Sequence, residues 1–595
     1  MSSFALSSGL YRVGQFDITR PLRYDPLKTR MEFPVPDPHT TTLPQALAHT
    51  ARCAPERGIG IYDRRGQAAE CRTYPAVLDM AGKSAARLAA AGIGAGDRVL
   101  MCLPTSWDLL EIHFAALWRG AYPVMVAPPG ALGGAEAHAR KIAGLIELLV
   151  PKRFVCDDTT RRELTECGQQ DAAALSVTPG ELAALAPVSA AKLHQAQPDD
   201  TAFMQLTSGS TGRQRAVMIR HSSVIHNAMA IGRAVGSQPF SPEERVASWL
   251  PLNHDMGLAG CLFYSLVNGY DLWLLRPDAF LARPRLWLQT ISAHRCTRSP
   301  APNFAYQLCV ERVDPAELAG LDLSSWKSAM AGAEMVHPGT CRAFHEKFAP
   351  LGFDARSLTP CYGMAEATLA ASADQRRRGV RSLPMPKGQG SDAGLHEIVC
   401  VGAPVLDTEI RISSPSALGE FLPDERVGEV WIAGPGVFAG YYNDTAATAE
   451  TLVPAPHGHW LRTGDLGFTK DGELYLTGRI KDLLIIHGHN LMPHELEWIA
   501  EDASGAGGTE RCGAFSVMKG AEGEQAVLVL ETTTTDRALL AELDRDIRKR
   551  VGKTLGLPLA DMVFVKRGQI PKTTSGKVQR RELRQRFLDG KLTRL

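Results

Sequence analysis

Very little in this sequence is out of balance. Its 595 residues carry 65 lysines and arginines against 64 aspartates and glutamates, a formal net charge of +1. A nucleic-acid binder normally shows its basic stripe in that sum, so the balance argues against one. None of the twelve cysteines forms a Cys-x-x-Cys pair. Their scatter lacks the spacing that a zinc cage or a disulfide framework needs. Reduced thiols in a cytoplasmic protein are the expectation. Long apolar runs are missing too. The best candidate, GCLFYSLVNGYDLWLL, is interrupted by Asn268 and Asp271, and no segment reaches the roughly 18–20 apolar residues of a membrane span. The opening MSSFALSSGLYRVGQFDITR has no positive stretch ahead of an apolar core and does not read as a secretory leader.

What is present is an ordinary globular composition, 45% apolar and 22% charged, in a chain too long for one core. RVLMCLP (98–104), SWDLLEIHFAALWRGA (106–121) and YPVMVAPP (122–129) read as strand, helix and strand. That order predicts parallel strands joined by crossover helices, an α/β fold with mixed or parallel sheets. The pattern recurs at RVASWLPL, DLWLLRP and RCTRSPAPNFAYQLCVERV. From about residue 400 the texture changes to glycine-punctuated strands, GEVWIAGPGVFAGYY and GELYLTGRIKDLLII, which predict a β-subdomain over about 400–478. The last hundred residues read as a small α+β unit with an amphipathic helix over DRALLAELDRDIRKRVGKTLG. We therefore expect a large N-terminal domain over 1–478, a hinge near 478–482 and a small mobile domain over 479–595. Residues 374–397, rich in Arg, Gly and Pro, are expected to form an exposed insertion. GIGAGDRV (92–99) has the flavour of a dinucleotide fingerprint. Its glycines follow a helix and open a strand, the reverse of what that fingerprint requires, so it reads as a helix stop.

The chemistry begins at TSGSTGRQRAVMIRH (207–221). The glycines lie between two β-like runs, whereas a Walker loop joins a strand to a helix. Gly209 and Gly212 permit backbone angles closed to other residues, and Thr207, Ser208, Ser210 and Thr211 add hydroxyl donors. Such a nest of donors binds anions. The same residues also suit a plain hairpin turn. Six further segments share the chain with this one. CYGMAEATL sets Glu366 four residues after Tyr362, and WLPLNHDMGL sets His254 and Asp255 after an apolar strand. GAEMV follows the strand-like SAMA, and RTGDLG places Asp465 in a glycine turn. GRIKDLLIIHGHNLMPHELE carries a basic pair and then a strand, and PKTTSGKVQRREL places Lys577 in a small-residue turn near the end.

In this order these segments resemble the adenylate-forming superfamily of acyl-CoA synthetases, luciferases and peptide-synthetase adenylation domains, over nearly the whole chain from about residue 40. WLPLNHDMGLAG, RPRLWLQTIS, PAPNFAYQLCV, CYGMAEATL and PHELE are most similar to fatty acyl-AMP ligases. Those enzymes make acyl-adenylates and pass the acyl group to a carrier protein. The resemblance implies ATP and Mg²⁺ as cofactors, a fatty or related carboxylic acid as substrate, and an acyl carrier protein or carrier domain supplied by another protein as partner. Thr207, Ser208, Gly209, Ser210, Thr211 and Gly212 would hold the β- and γ-phosphates. Glu366 would ligate Mg²⁺. Gly332, Ala333 and Glu334 would line one side of the adenine, and Tyr362, Gly363 and Met364 the other. Asp465 would accept from the ribose hydroxyls, with Arg479 beside it. Lys577 would reach the α-phosphate and the acyl carboxylate. His254 would stand at the mouth of the acyl tunnel, Asn303 and Phe304 would line its wall, and Lys481 would be the hinge residue.

Three departures from the family pattern stand out. The phosphate turn ends Gly212-Arg213-Gln214-Arg215-Ala216 where the family has Gly-x-Pro-Lys-Gly; Arg215 keeps the charge as a planar fork rather than a point charge. The 374–397 segment falls where acyl-AMP ligases carry an insertion that disfavours coenzyme A, and it looks shorter than usual. Pro300 and Ala301 stand where many relatives have two glycines, which would narrow or redirect the acyl tunnel. Two alternatives to the carrier-protein ligase follow, an acyl-CoA synthetase using free coenzyme A and a catalytically weakened nucleotide- or acyl-binding protein.

Overall fold

The computed structural model describes residues 40–595 apart from 130–133, 189–192, 209–213, 375–377, 387–396, 456–457, 487–488, 506–510, 519–523 and 573–576. The strand Arg98–Cys102, the helix Trp107–Trp118 and the strand Tyr122–Met125 form the expected crossover, with Leu100 opposite Val124 in parallel register. Ser106 caps the helix by accepting from the Leu109 N–H at 3.3 Å. Ten of its twelve residues are buried, because an element apolar all round must be enclosed on every side. The helix before it stops at Ala90, and Gly92 turns the chain at φ +77°.

These strands belong to a seven-stranded sheet. Its members run Gly440–Tyr441, Gln214–Arg220, Thr201–Ser208, Tyr122–Met125, Arg98–Cys102, Arg153–Cys156 and Ser176–Val177 across the sheet. The last five are mutually parallel, and the first two pair antiparallel. A second layer runs Ala69–Thr73, Gly58–Tyr62, Asp271–Leu274 and Arg245–Ser248. Single parallel bridges from Val246 to Arg298 and from Arg298 to Ser328 link it toward Ala329–Ala331 and Leu358–Gly363. The strand expected within RCTRSPAPNF is thus reduced to isolated bridges at Arg298 and Ala301. Pro300 and Pro302 have no N–H to donate to a ladder there.

Residues 409–479 form the antiparallel sheet Glu409–Ser413, Gly428–Ala433, Gly458–Lys470 and Leu452–Ala455, with Glu473–Arg479 paired to Gly458–Lys470. Farther on, Cys512–Met518, Glu524–Thr532 and Leu559–Lys566 make a three-stranded sheet packed by Pro493–Ala503 and Arg537–Leu555. Apolar burial follows the same division. One large core runs from Leu43 to Leu474, and a separate cluster runs from Leu484 to Met562. Between them lies the single turn Ile480–Asp482, none of it buried.

The described residues of the 374–397 segment make specific contacts that its composition does not predict. Ser382–Pro384 pairs antiparallel with Glu397–Val399. Asp374 is buried, and Arg381 donates to it at 2.9 Å and to Glu473 at 2.6 and 2.8 Å. An arginine-rich stretch reads as solvated loop only until its carboxylate partners, far off in sequence, are known. No helix among the described residues is long and apolar enough to cross a membrane.

Candidate active site

The two cores face each other across a cavity of about 1370 Å³, larger than a usual small-molecule pocket of about 300–1,000 Å³. It lies at the carboxyl ends of the parallel strands, where open α/β sheets take ligands. On one wall Thr207 and Arg215 are directly opposed on the hairpin formed by Thr201–Ser208 and Gln214–Arg220. The turn is therefore strand-to-strand, as read from the sequence; Gly209, Ser210, Thr211 and Gly212 lie outside the described residues. Ser208 is the last residue of the first strand. Arg215 approaches Asp444 at 3.4 Å and lies over the Tyr441 ring, 5.0 Å from its centroid.

The next wall comes from two strand ends. Leu358–Gly363 delivers Tyr362 and Gly363, and a single 3-10 turn then presents Glu366. A Cβ on Gly363 would fall 1.6 Å from the Leu369 carbonyl oxygen, so only glycine lets the chain fold back here. Thr368 and Ala333 both have φ +67°. Non-glycine residues in that region store strain, which gathers at functional sites. Ala333 and Glu334 line the cavity, whereas Gly332 sits behind it against Cys361. Glu334 Oε1 accepts from the Phe304 N–H at 2.6 Å, at the start of the helix Asn303–Arg312, where a carboxylate is favoured. Asn303 lines the cavity and accepts from the His337 N–H at 3.0 Å. Phe304 stands behind it, edge-on to Trp249.

Two side chains converge on Asp465. Its Oδ2 accepts from the Tyr362 hydroxyl at 2.7 Å, and its Oδ1 accepts from Arg479 Nε at 2.8 Å. Each carboxylate oxygen can accept more than one hydrogen bond, and Asp465 lines the cavity. Asp465 holds the Arg479 guanidinium firmly charged, and burial together with Asp465 keeps the Tyr362 phenol neutral. Lys577 lines the same space. Burial and Arg479 push its pKa down, while Asp255, Asp465 and Glu334 pull it back up. An amine held among these groups is placed beside whatever anion Asp465 and Arg479 flank.

His254 and Asp255 form a pair, with Asp255 Oδ1 2.7 Å from His254 Nδ1 and accepting from the Met256 N–H at 2.7 Å. Burial alone would raise the Asp255 pKa, but His254 and Lys577 outweigh it and hold the carboxyl below its ordinary value. Glu366 goes the other way. Burial raises its pKa and Asp255 adds to the rise, against a hydrogen bond of 2.8 Å from the Tyr441 hydroxyl. A buried carboxylate of that kind fits a cation. Among the described residues no group of three or more His, Cys, Asp or Glu could hold a metal. A divalent ion at Glu366 would therefore take one protein carboxylate and complete its shell with ligand oxygens and water, the habit of Mg²⁺.

A family model for AMP-binding enzymes matches residues 47–442. The chain belongs to the AMP-binding enzyme family. This AMP-binding enzyme is 34% identical over 562 residues to a putative acyl-CoA synthetase of Caulobacter vibrioides, covering 92% of this chain and 96% of that one. It is 33% identical to JamA of Moorena producens, a medium-chain-fatty-acid–[acyl-carrier-protein] ligase, over 83% of this chain and 86% of that one. Among solved structures it superposes with a TM-score of 0.83 on a chain from work on the fatty acyl-adenylate ligases of E. coli and L. pneumophila. That pair shares 31% identity, over 93% of this chain and 98% of that one. The resemblance to adenylate-forming enzymes and the α/β fold read from the sequence are both borne out.

Sequence reasoning missed two of the groups that shape the site. Tyr441, in the run AGYY, meets a carboxylate 75 residues away. Glu429 accepts from Arg462 Nη2 at 3.2 Å and from the Gly464 N–H at 3.1 Å, and so braces the turn that carries Asp465. Nothing in local spacing signals either contact.

Proposed function

We propose that this enzyme activates a fatty or related carboxylic acid with ATP and passes the acyl group to the phosphopantetheine thiol of a carrier protein. A carboxylate oxygen of the acid attacks the α-phosphorus of ATP, the bond from that phosphorus to the bridging oxygen breaks, and pyrophosphate leaves. The thiol sulfur then attacks the acyl carbon, the carbon–oxygen bond to AMP breaks, and the thiol gives up its proton. The observation that carries this reading is the meeting of Lys577, Arg479, Asp465 and Glu366 in one cavity, in a chain whose relatives include a fatty-acid–carrier-protein ligase.

Negative charge accumulates on the α-phosphate as pyrophosphate departs, so fixed cations and donors should dominate the acceleration. Lys577 is the group for that oxygen and for the attacking carboxylate. Asp465, oriented by Tyr362 and Arg479, takes the ribose hydroxyls. Ala333 and Glu334 face Tyr362, Gly363 and Met364 across the adenine, with Gly332 behind. Thr207 and Ser208 open the phosphate turn. His254, oriented by Asp255, stands where the acyl chain enters, past Asn303. Glu366 would hold Mg²⁺, which would neutralise phosphate charge when bound.

We further propose that the residues from 479 onward move as a unit about Lys481. The exposed turn Ile480–Asp482 between two separate cores supports this, and so does the economy of one cavity serving two steps. The same cavity with free coenzyme A as acceptor is the second reading, favoured by the similarity to a putative acyl-CoA synthetase. Acid-dependent exchange of labelled pyrophosphate into ATP, run with fatty acids of graded length, tests the first step. Exchange with at least one acid is the expected result. Its absence with every acid tried, in protein that binds ATP, would overturn the reading.

A further inference from the structure

Two amines lining the cavity, Lys141 and Lys572, have no task in the reading above, and Lys572 is exposed. Lys141 stands on the helix Ala135–Leu149 and lines the cavity with Val126, Ala127, Leu206 and Thr207. Those four residues follow or end the neighbouring strands Tyr122–Met125 and Thr201–Ser208, the edge at which the phosphate turn begins. Lys141 is half-buried, and among the described residues no carboxylate pairs with it. Its near neighbours are the Cys102 thiol, kept neutral by burial, and His138, whose pKa burial pushes down. A charge in such surroundings is unfavourable unless an anion joins it.

Four arginines lining the cavity are already engaged. Arg462 pairs with Glu429 at 3.2 Å, Arg479 with Asp465 at 2.8 Å and Arg580 with Glu497 at 2.6 Å. Arg215, which stands in the place of the family lysine, is drawn to Asp444 at 3.4 Å and to the face of Tyr441. ATP brings several negative charges to this wall, and a guanidinium already shared with a carboxylate compensates them poorly. We propose that Lys141 supplies the missing charge: its ammonium takes an oxygen of the terminal phosphates of ATP and, after bond cleavage, of pyrophosphate. The proposal rests on the adenylating reading and assigns it a residue. Lysine suits the task as a compact point charge on a flexible stem, able to follow pyrophosphate as it leaves.

The test uses the full chain with Lys141→Met and Lys141→Arg, titrated calorimetrically with ATP, pyrophosphate and AMP in the presence of Mg²⁺. Lys141→Met should weaken ATP and pyrophosphate binding about tenfold each, the loss expected for one charge-assisted contact. AMP binding and the unfolding temperature should not change, because AMP carries only the α-phosphate. Lys141→Arg should recover most of the loss. Unaltered pyrophosphate affinity in Lys141→Met would overturn the proposal, as would equal weakening of all three ligands, which is the mark of a structural role. Either result leaves the adenylating reading standing. Failure of the unsubstituted chain to bind ATP would bring down that reading and this proposal together.

Discussion

Tyr441→Phe removes one hydroxyl and little else. The ring is buried, lies edge-on to Phe438 at 4.9 Å and sits beneath Arg215; phenylalanine keeps all of that packing. What is lost is the 2.8 Å bond to Glu366 Oε1. Tyr441 is a neutral donor throughout, since burial and Glu366 both push its pKa up. A hydrogen bond to a charged acceptor contributes about 1.5–3 kcal/mol. Without it the ionised form of Glu366 falls about ten- to a hundredfold relative to the neutral form. Burial already raises this carboxyl's pKa, and the tyrosine bond works against that rise, so the substitution raises it further. A metal-binding carboxylate is then present only at higher pH. The rate of acyl-AMP formation at limiting Mg²⁺ should therefore fall most on the acid side and recover as pH rises. Stability carries the same sign. A carboxyl whose folded pKa exceeds its unfolded value stabilises the fold below the unfolded pKa, and that stabilisation is lost as pH rises through the folded pKa. The variant should lose more stability between acid and neutral pH than the parent does. Rate profiles at several Mg²⁺ concentrations, with denaturation midpoints beside them, check both effects. A loss of equal size at every pH, or none, would refute the coupling of Tyr441 to Glu366.

Lys577→Ala should slow acyl-AMP formation about a hundredfold or more with the unfolding temperature unchanged; single-turnover rates near those of the parent would remove Lys577 from its role. Arg298 and Glu244 are buried and joined by bonds of 3.1 and 2.8 Å, so Arg298→Met leaves an uncompensated carboxylate and should cost about 3–5 kcal/mol in denaturant unfolding. A change within experimental error would show that Glu244 finds another partner. Deleting part of 374–397 should raise turnover with free coenzyme A relative to a carrier protein, and an unchanged ratio would strip that segment of any gating role.

How much of this was legible in the sequence depended on distance along the chain. The crossover through Trp107–Trp118 was legible because strand, cap and helix are consecutive. The hairpin around the phosphate turn was legible because its two strands are neighbours in sequence. The tie of Arg381 to Glu473, inside a segment expected to be an exposed insertion, was not legible because the two are 92 residues apart. The ties of Tyr441 to Glu366 and of Arg462 to Glu429 span 75 and 33 residues, and no local pattern encodes them. His113 shows the limit differently. It lies fully buried in an apolar helix among Phe114, Phe203 and Phe263, and burial pushes its pKa to about 3; on the page it was simply a polar letter in an apolar run.

The most direct measurement is a product analysis by mass spectrometry. The purified protein is given ATP, Mg²⁺ and a panel of fatty and aromatic acids, with coenzyme A alone, with a phosphopantetheinylated carrier protein alone, and with both. Acyl-AMP that persists beside coenzyme A and disappears into acyl-carrier thioester is the result this account predicts. Ready conversion to acyl-CoA with no carrier product would contradict it.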